Sequence, residues 1–344
     1  MTDVINRRVI LSAHPVGFPK TSDFELIEDS LSKPADGELI LRTLYLSLDP
    51  YMRGRISQAR SYAAGVKIGQ TMVGGTVSVV EASRNPKFQS GDIVLSHSGW
   101  QEYELSNGQG LHKLNPVHGP KPISTALGVM GMPGLTAYVG LLDIGQPQSG
   151  ETVVVSSAAG AVGSVVGQIA RLRECKTVGI AGTAEKCRYT VEDFGFQACL
   201  NYNDDNFDSQ LKEACPDGID IYFENVGGKV FDAAYSLMND GGRIPVCGMI
   251  SRYNDTDLPD GPDTLPRLMR AILTRRLLVK GYIVTDHSDR LNDFLSDMSD
   301  WLKRGDIHYR EDITEGLDNA VPAFQGLLRG ENSGKAIVKV AQHT

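Results

Sequence analysis

No cysteine precedes Cys175 in this chain of 344 residues, and the five present are Cys175, Cys187, Cys199, Cys215 and Cys247. An odd number, confined to one middle stretch and without a Cys-x-x-Cys pair, excludes a disulfide framework and fits reduced thiols in a cytoplasm. Four of the five are read as small buried hydrophobes. Positive charge is also scarce: 34 Lys and Arg stand against 42 Asp and Glu, a net charge of −8. The basic footprint of a nucleic-acid or anionic-membrane binder is therefore missing. No apolar run approaches the roughly 20 residues that span a bilayer. The nearest, Val153 to Ala170, is broken by serines and glycines. Met1 to Arg8 carries charge and no apolar stretch, so no signal peptide is expected there.

What is present is a two-domain composition. The length exceeds one ordinary core, and 41% hydrophobic with 22% charged residues is a soluble globular balance. The 37 glycines imply tight turns or close backbone approaches to a ligand. Up to residue ~125 the chain reads as an irregular β-barrel, with turn residues every ten or so positions. Strands are expected at Leu39–Leu46 and Val73–Val80, and after the Gly91-Asp92 turn at Ile93–Ser96.

The pattern then changes to alternating helix and strand. A helix is expected at Pro133–Leu142, strands at Val153–Ser156, Thr177–Ala181, Ala198–Asn201, Ile219–Glu224 and Gly242–Val246, and helices between them. Such alternation means right-handed βαβ units around a parallel sheet. Asp255–Pro266 reads as a surface loop, Leu291–Arg304 as a helix stopped by Gly305, and Gly334–Val340 as a strand returning to the first domain's sheet.

The most informative segment is Val153-Val154-Val155-Ser156-Ser157-Ala158-Ala159-Gly160-Ala161-Val162-Gly163-Ser164. A buried strand runs into a small-residue turn that opens a helix. Small residues let the backbone approach a pyrophosphate, and the helix start offers free N–H donors and a positive dipole end. Ala158 replaces the first glycine of the usual fingerprint, but the strand–turn–helix context carries the assignment. Past the next strand, Gly182 and Thr183 stand where an NAD-binding protein places the acid that holds the ribose 2′-hydroxyl. That leaves room for a 2′-phosphate, with Lys186 as its cation; a solvated lysine is the alternative reading. The cofactor expected is NADPH. Metal ligands are not expected: no cysteine lies in the first half, and His14, His97, His112, His118, His287, His308 and His343 show no ligand spacing.

Several segments together resemble the zinc-independent medium-chain dehydrogenases/reductases, in the branch of prostaglandin reductases, plant double-bond reductases and bacterial curcumin reductases. They are Leu48-Asp49-Pro50-Tyr51-Met52-Arg53-Gly54-Arg55, Met132-Pro133-Gly134-Leu135-Thr136-Ala137-Tyr138, Ala158–Ser164, Phe223-Glu224-Asn225-Val226-Gly227-Gly228, Cys247–Asn254 and Glu331-Asn332-Ser333-Gly334-Lys335. The resemblance implies an α/β fold: a GroES-like β-barrel domain from residues 1–125 and 300–344, and an inserted Rossmann doubly wound parallel sheet over 126–299. It implies NADPH contacts at Ala161, Val162, Gly163, Ser164, Lys186, Tyr202, Asn225, Cys247, Gly248, Met249, Ile250, Ser251, Tyr253, Tyr282, Ile283, Val284 and Asn332. It also implies a homodimer. From the residues alone, Asn225 follows a strand and lines the crevice or makes an Asn turn. Tyr282 to Val284 pack on the nicotinamide or form plain strand core.

The implied reaction is reduction of the carbon–carbon double bond of a small α,β-unsaturated carbonyl compound. Hydride reaches the β-carbon from the nicotinamide, and negative charge develops on the carbonyl oxygen. One donor at that oxygen is worth roughly 3 kcal/mol. Tyr253 is the expected donor, since a phenol is neutral at pH 7. Tyr51 is the second candidate, with a packing aromatic as its alternative. Trp100 walls the substrate pocket or lies on the surface as an amphipathic aromatic. Arg53 and Arg55 are read as tying the domains together. A quinone reductase of the same superfamily and a nucleotide-binding protein without turnover remain as other readings. Replacing Lys186 with alanine is expected to raise the KM for NADPH and leave that for NADH unchanged; equal effects on both would refute the 2′-phosphate assignment.

Overall fold

The computed structural model describes residues 4–114, 122–257 and 263–342. His118, His343, the first three residues and positions 258–262 of the expected surface loop lie outside the described residues. The chain divides into two compact units, Met1–Gly128 with Glu311–Thr344, and Val129–Arg310.

The first unit begins with β1 (Val4–Leu11) and β2 (Phe24–Leu31), an antiparallel pair in register from Val4↔Leu31 to Leu11↔Phe24. Next come β3 (Leu39–Ser47), the short helix α1 (Tyr51–Arg55), β4 (Thr76–Ser83), β5 (Ile93–Ser96), β6 (Tyr103–Ser106) and β7 (His112–Lys113). β4 starts three residues later than the apolar run suggested. Gly74 in the delayed stretch lies against the Leu46 side chain, where a Cβ would come within 2.8 Å.

The second unit opens with α2 (Met132–Val139) and then builds a six-stranded sheet. Its elements are β8 (Thr152–Ser156), α3 (Gly163–Leu172), β9 (Lys176–Ala181), α4 (Ala184–Glu192), β10 (Ala198–Asn201), α5 (Phe207–Ala214), β11 (Ile219–Phe223), α6 (Gly228–Ser236), β12 (Met238–Val246), α7 (Leu265–Arg275), β13 (Leu278–Gly281) and α8 (Leu291–Arg304). The strand order is β10-β9-β8-β11-β12-β13, and every pairing is parallel. The chain winds outward from β8 to β10, returns to β11 beside β8, and winds outward again. The reversal between β8 and β11 is the switch point at which open α/β sheets bind ligands.

The two-residue period of a strand sorts side chains between the faces. On β8, Val153 and Val155 join one apolar cluster with α2, α3 and α8, while Val154 joins the other with α5 and α6. Helix α8 contributes Phe294, Met298 and Leu302 to the first cluster. That packing holds the whole helix in this unit, so the division falls at 310 and not at 300. Helix α7 falls partly in the expected surface loop. Pro266 reads as a loop residue, but it occupies the first turn of α7, where a missing N–H costs nothing.

The chain then returns to the first unit through β14 (Glu311–Glu315), α9 (Ala320–Leu328) and β15 (Lys335–Lys339). β15 pairs antiparallel with β3 and parallel with β14, completing the sheet β14-β15-β3-β4-β5-β7, with β6 also on β3. Trp100 lies in this unit's core, stacked on Phe24 with ring centroids 6.1 Å apart and edge-on to Phe324 at 5.6 Å.

Close packing is tightest where α3 crosses the next helix–strand connection. A Cβ at Gly167 would fall 1.8 Å from the Phe196 ring. Gly167→Ala should therefore destabilise the protein by about 1–3 kcal/mol through overpacking, read as a lower urea midpoint at constant m-value. An unchanged midpoint would show that the ring moves aside freely.

Candidate active site

The β8–α3 connection is built from close backbone contacts. Gly160 N–H donates to the Ser157 carbonyl at 2.9 Å, and Ala158 N–H to the Ile180 carbonyl at 3.0 Å. Ser157 adopts a left-handed conformation with φ 52°. A Cβ at Gly163 would stand 2.3 Å from the Ser157 carbonyl oxygen, which is backbone and cannot yield. Ala161 and Val162 therefore lead into α3, and Gly163 and Ser164 begin its first turn close against the backbone of Ser157. Val162, at the cap position, makes no side-chain cap. Ser164 N–H is taken by the Gly160 carbonyl at 3.0 Å and Val165 N–H by the Val162 carbonyl at 3.1 Å, and the helix start sets its positive dipole end at the switch point. A diphosphate fits these features.

The tip of β9 behaves differently. Thr183 caps α4, its hydroxyl accepting from Lys186 N–H at 3.2 Å. Half-buried Lys186 lies in that first turn, while Glu185 is exposed. Tyr202 follows β10 and reaches back across the tip: a Cβ at Gly182 would be 3.1 Å from its hydroxyl. Lys229, at the start of α6, sets its ammonium 5.2 Å from the centroid of the Tyr202 ring. Glycine at the tip, a phenol over it and two lysines suit a phosphate better than a ribose hydroxyl. Tyr202 and Lys229 also line a hollow of about 600 Å³ whose wall carries Asp204, Asp205, Asp208, Asp232 and Lys212.

On the other side of β8, Ser156 and Asn225 join the ends of two strands. Asn225 N–H donates to Ser156 Oγ at 2.8 Å, and its Nδ2 donates to the Ser156 carbonyl at 2.7 Å. Asn225 is thus a strand-end clasp as well as a crevice residue. The loop after β12 folds onto this clasp. Ile250 N–H donates to the Asn225 carbonyl at 3.2 Å, and Ser251 donates to the Val226 carbonyl through N–H at 3.0 Å and Oγ at 2.6 Å. The loop then turns Tyr253 back over its own start. The Tyr253 hydroxyl accepts from Met249 N–H at 3.4 Å, and a Cβ at Gly248 would lie 3.1 Å from it. A phenol oxygen can accept there and still donate its own proton.

Cys247 and Tyr282 stand together behind that loop. Burial pushes the Cys247 thiol up to about 12, with the hydrogen bond to Tyr282 pulling the other way. Burial, then the adjacent thiol, raises the Tyr282 phenol well above its ordinary range. Tyr282 donates to the Thr136 carbonyl at 2.8 Å. Tyr282, Ile283 and Val284 are half-buried and follow β13, so they are not strand, while Tyr282 and Val284 do pack against the apolar cluster of α2, α3 and α8.

The remaining expected residues belong to the first unit. Tyr51 opens α1, half-buried; burial and then Asp49 raise its phenol pKa, so it is a neutral donor at pH 7. Asn332 is half-buried, its Nδ2 donating to the Gly334 carbonyl at 2.7 Å. Trp100 is 0% exposed. It neither walls an open pocket nor lies on the surface; its large apolar area is spent between Phe24 and Phe324. Arg53 is buried and donates to the Gly17 carbonyl at 2.8 Å, within its own unit.

Among the described residues no group of three His, Cys, Asp or Glu side chains is placed to hold a metal ion. Residues 7–114 match a family model described as the N-terminal domain of oxidoreductase, and residues 161–302 one described as zinc-binding dehydrogenase. The chain is 54% identical to the NADPH-dependent curcumin reductase of Escherichia coli (strain K12), over 98% of this chain and 97% of that one. The chain belongs to the zinc-independent branch of the medium-chain dehydrogenase/reductase family. A second family member, prostaglandin reductase 1 of Bos taurus, is 46% identical over 96% of this chain and 97% of its own length. Among solved structures, CurA from Vibrio vulnificus in complex with NADPH superposes with a TM-score of 0.94 at 51% identity, covering 98% of this chain and 100% of that one. The fold class is the expected one, a GroES-like β-barrel unit from both chain ends and an inserted Rossmann sheet.

Sequence reasoning missed Lys229, Ser156 and Glu224. Lys229 follows the Gly227-Gly228 pair and looks like any surface lysine until α6 brings it to Tyr202. Glu224 had a legible signal: a carboxylate closing an otherwise apolar strand. Because only the thiolate attacks, Cys247 should react with iodoacetamide at pH 7.5 at least ~100-fold more slowly than a free thiol. Labelling at the free-thiol rate, mapped by peptide mass, would contradict the raised pKa of this thiol.

Proposed function

We propose that this chain is an NADPH-dependent reductase of the carbon–carbon double bond in α,β-unsaturated ketones and aldehydes. The observation that carries the reading is the Tyr253 phenol folded over Gly248 and Met249 at the end of β12, in the same crevice that the α3 turn opens. The names of the relatives, a curcumin reductase and a prostaglandin reductase, support the same reaction.

The residues that would hold the dinucleotide are the α3 turn from Ala161 to Ser164 for its diphosphate, and Lys186 with Tyr202 for its 2′-phosphate. Asn225, Cys247 to Ser251, and Tyr282 to Val284 are assigned to its nicotinamide half, with Asn332 as a further contact. When bound, the reduced nicotinamide supplies the hydride for the β-carbon. Tyr253 then donates a hydrogen bond to the carbonyl oxygen as charge accumulates on it. The protein stabilises the enolate without a metal, and a phenolic O–H donor suits that task. The α-carbon takes its proton from Tyr253 or from water. Gly248 keeps the approach to that phenol open, because any side chain there meets its hydroxyl. Tyr51 is assigned to the substrate as a second neutral phenol.

We also assign the protein to the cytoplasm as a homodimer. Its five cysteines are all free thiols, which suits a reducing compartment. No helix among the described residues is long and apolar enough to cross a membrane.

Tyr253→Phe tests the assignment. It should leave the Kd for NADPH unchanged and lower kcat on an aliphatic enone by about 100-fold, the usual loss for one oxyanion donor. Full turnover in that variant would remove Tyr253 from the mechanism. A parental rate greater with a quinone than with the enone would assign the acceptor to quinones instead.

A further inference from the structure

Glu224 is 1% exposed and stands at the carboxyl end of β11, at the point where the strand order reverses. A buried carboxylate needs donors, and this one has four. Its Oε1 accepts from Ser156 Oγ at 3.1 Å, from Gly227 N–H at 3.0 Å and from Val226 N–H; its Oε2 accepts from the Tyr222 hydroxyl at 3.1 Å. Burial raises its pKa, while the Val226 and Gly227 amides and the two hydroxyls act against that. A fully satisfied network of this kind is rigid, and a partly satisfied one is not.

The network holds more than its own turn. The Glu224 carbonyl accepts from Cys247 N–H at 2.9 Å and Gly248 N–H at 3.2 Å. The Val226 and Asn225 carbonyls, placed by the same turn, receive Ser251 and Ile250. Tyr253 is two residues further on. A continuous set of hydrogen bonds therefore joins the carboxylate to the loop that carries the phenol.

We infer that Glu224 is a positioning residue: its carboxylate fixes the Asn225–Gly227 turn and, through it, the loop from Cys247 to Tyr253. This rests on the reductase reading for its consequence in turnover. Its reach is one-sided. β8 separates β11 from β9 and β10, whose tips carry Lys186 and Tyr202. At the 2′-phosphate end its turn leads only as far as Lys229 against Tyr202, while Lys186 and Tyr202 themselves follow other strands, so Glu224 acts chiefly on the nicotinamide half of the crevice.

The test compares two ligands on Glu224→Gln, in which an amide presents donors to donors. Calorimetry is run with NADPH and with adenosine 2′,5′-bisphosphate, which has the 2′-phosphate and no nicotinamide; kcat and KM are measured on an enone. The expected result is an NADPH Kd and a kcat each worse by about 10-fold or more, the scale of one mispaired buried group. The Kd for the bisphosphate should stay within about twofold of parental, below the size of one mispaired group. Equal weakening of both ligands would mean general loosening of the sheet and would overturn the inference, as would no change in either. If that variant does not fold, Ser156→Ala removes one donor from Oε1 and should show the same one-sided pattern, smaller in size; a two-sided or absent effect there overturns it equally. A parental protein that binds NADPH without reducing enones would defeat the reductase reading, while the two-ligand comparison would still decide the role of Glu224.

Discussion

The ends of β8 and β11 must stop pairing with each other and yet leave no buried polar group without a partner. Ser156 and Glu224 meet that constraint. Ser156 Oγ lies within reach of the Phe223 carbonyl at 3.2 Å and the Glu224 carboxylate, and accepts from Asn225 N–H. With the ladder ended in this way, the two chains leave the sheet in opposite directions. One enters the flat turn before α3 and the other enters the Asn-Val-Gly-Gly turn before α6. The crevice between them follows from that divergence.

The first unit uses a different buried polar device. Lys335 is buried, and its ammonium donates to the Leu48 carbonyl at 2.6 Å, the Asp49 carboxylate at 2.9 Å and the Ala336 carbonyl at 3.1 Å. Asp49 in turn accepts from Ser47 Oγ. The last strand of the chain is thereby tied to the segment just before Tyr51. Such a pair adds little net stability once desolvation is counted, but removing one partner strands a buried charge. It sets the place of Pro50 and Tyr51 at the start of α1 more than it strengthens the core.

Several site features were open to reading because they depend on local chemistry. Val153 to Ser164 reads as strand, small-residue turn and helix, and those are the observed β8 and α3. The glycine at 182 and the absence of an acid there report directly on what a strand tip can accept. The branch-specific segments around Tyr51, Asn225 and Tyr253 also lie in order along the chain. Trp100 was misread because an indole near glycines and a serine reads the same whether it faces a pocket or a core. Only the meeting of Phe24 and Phe324, from distant parts of the chain, buries it. Helix α7 was not foreseen, because Pro266 was read as part of a surface loop, where it stands in the first turn of a helix.

The sequence alone determined the period of the apolar residues, the positions of the tight glycine turns, and hence the class of fold and the strand–turn–helix of β8 and α3. These follow from backbone sterics and from hydrogen bonds within a few residues. Tertiary structure alone decided that Glu224 would satisfy donors from β8 and its own turn, that Lys229 would reach Tyr202, and that the Tyr253 phenol would lie over Gly248. Ser156 and Glu224, like Lys229 and Tyr202, lie far apart along the chain, and only the packed sheet brings them together.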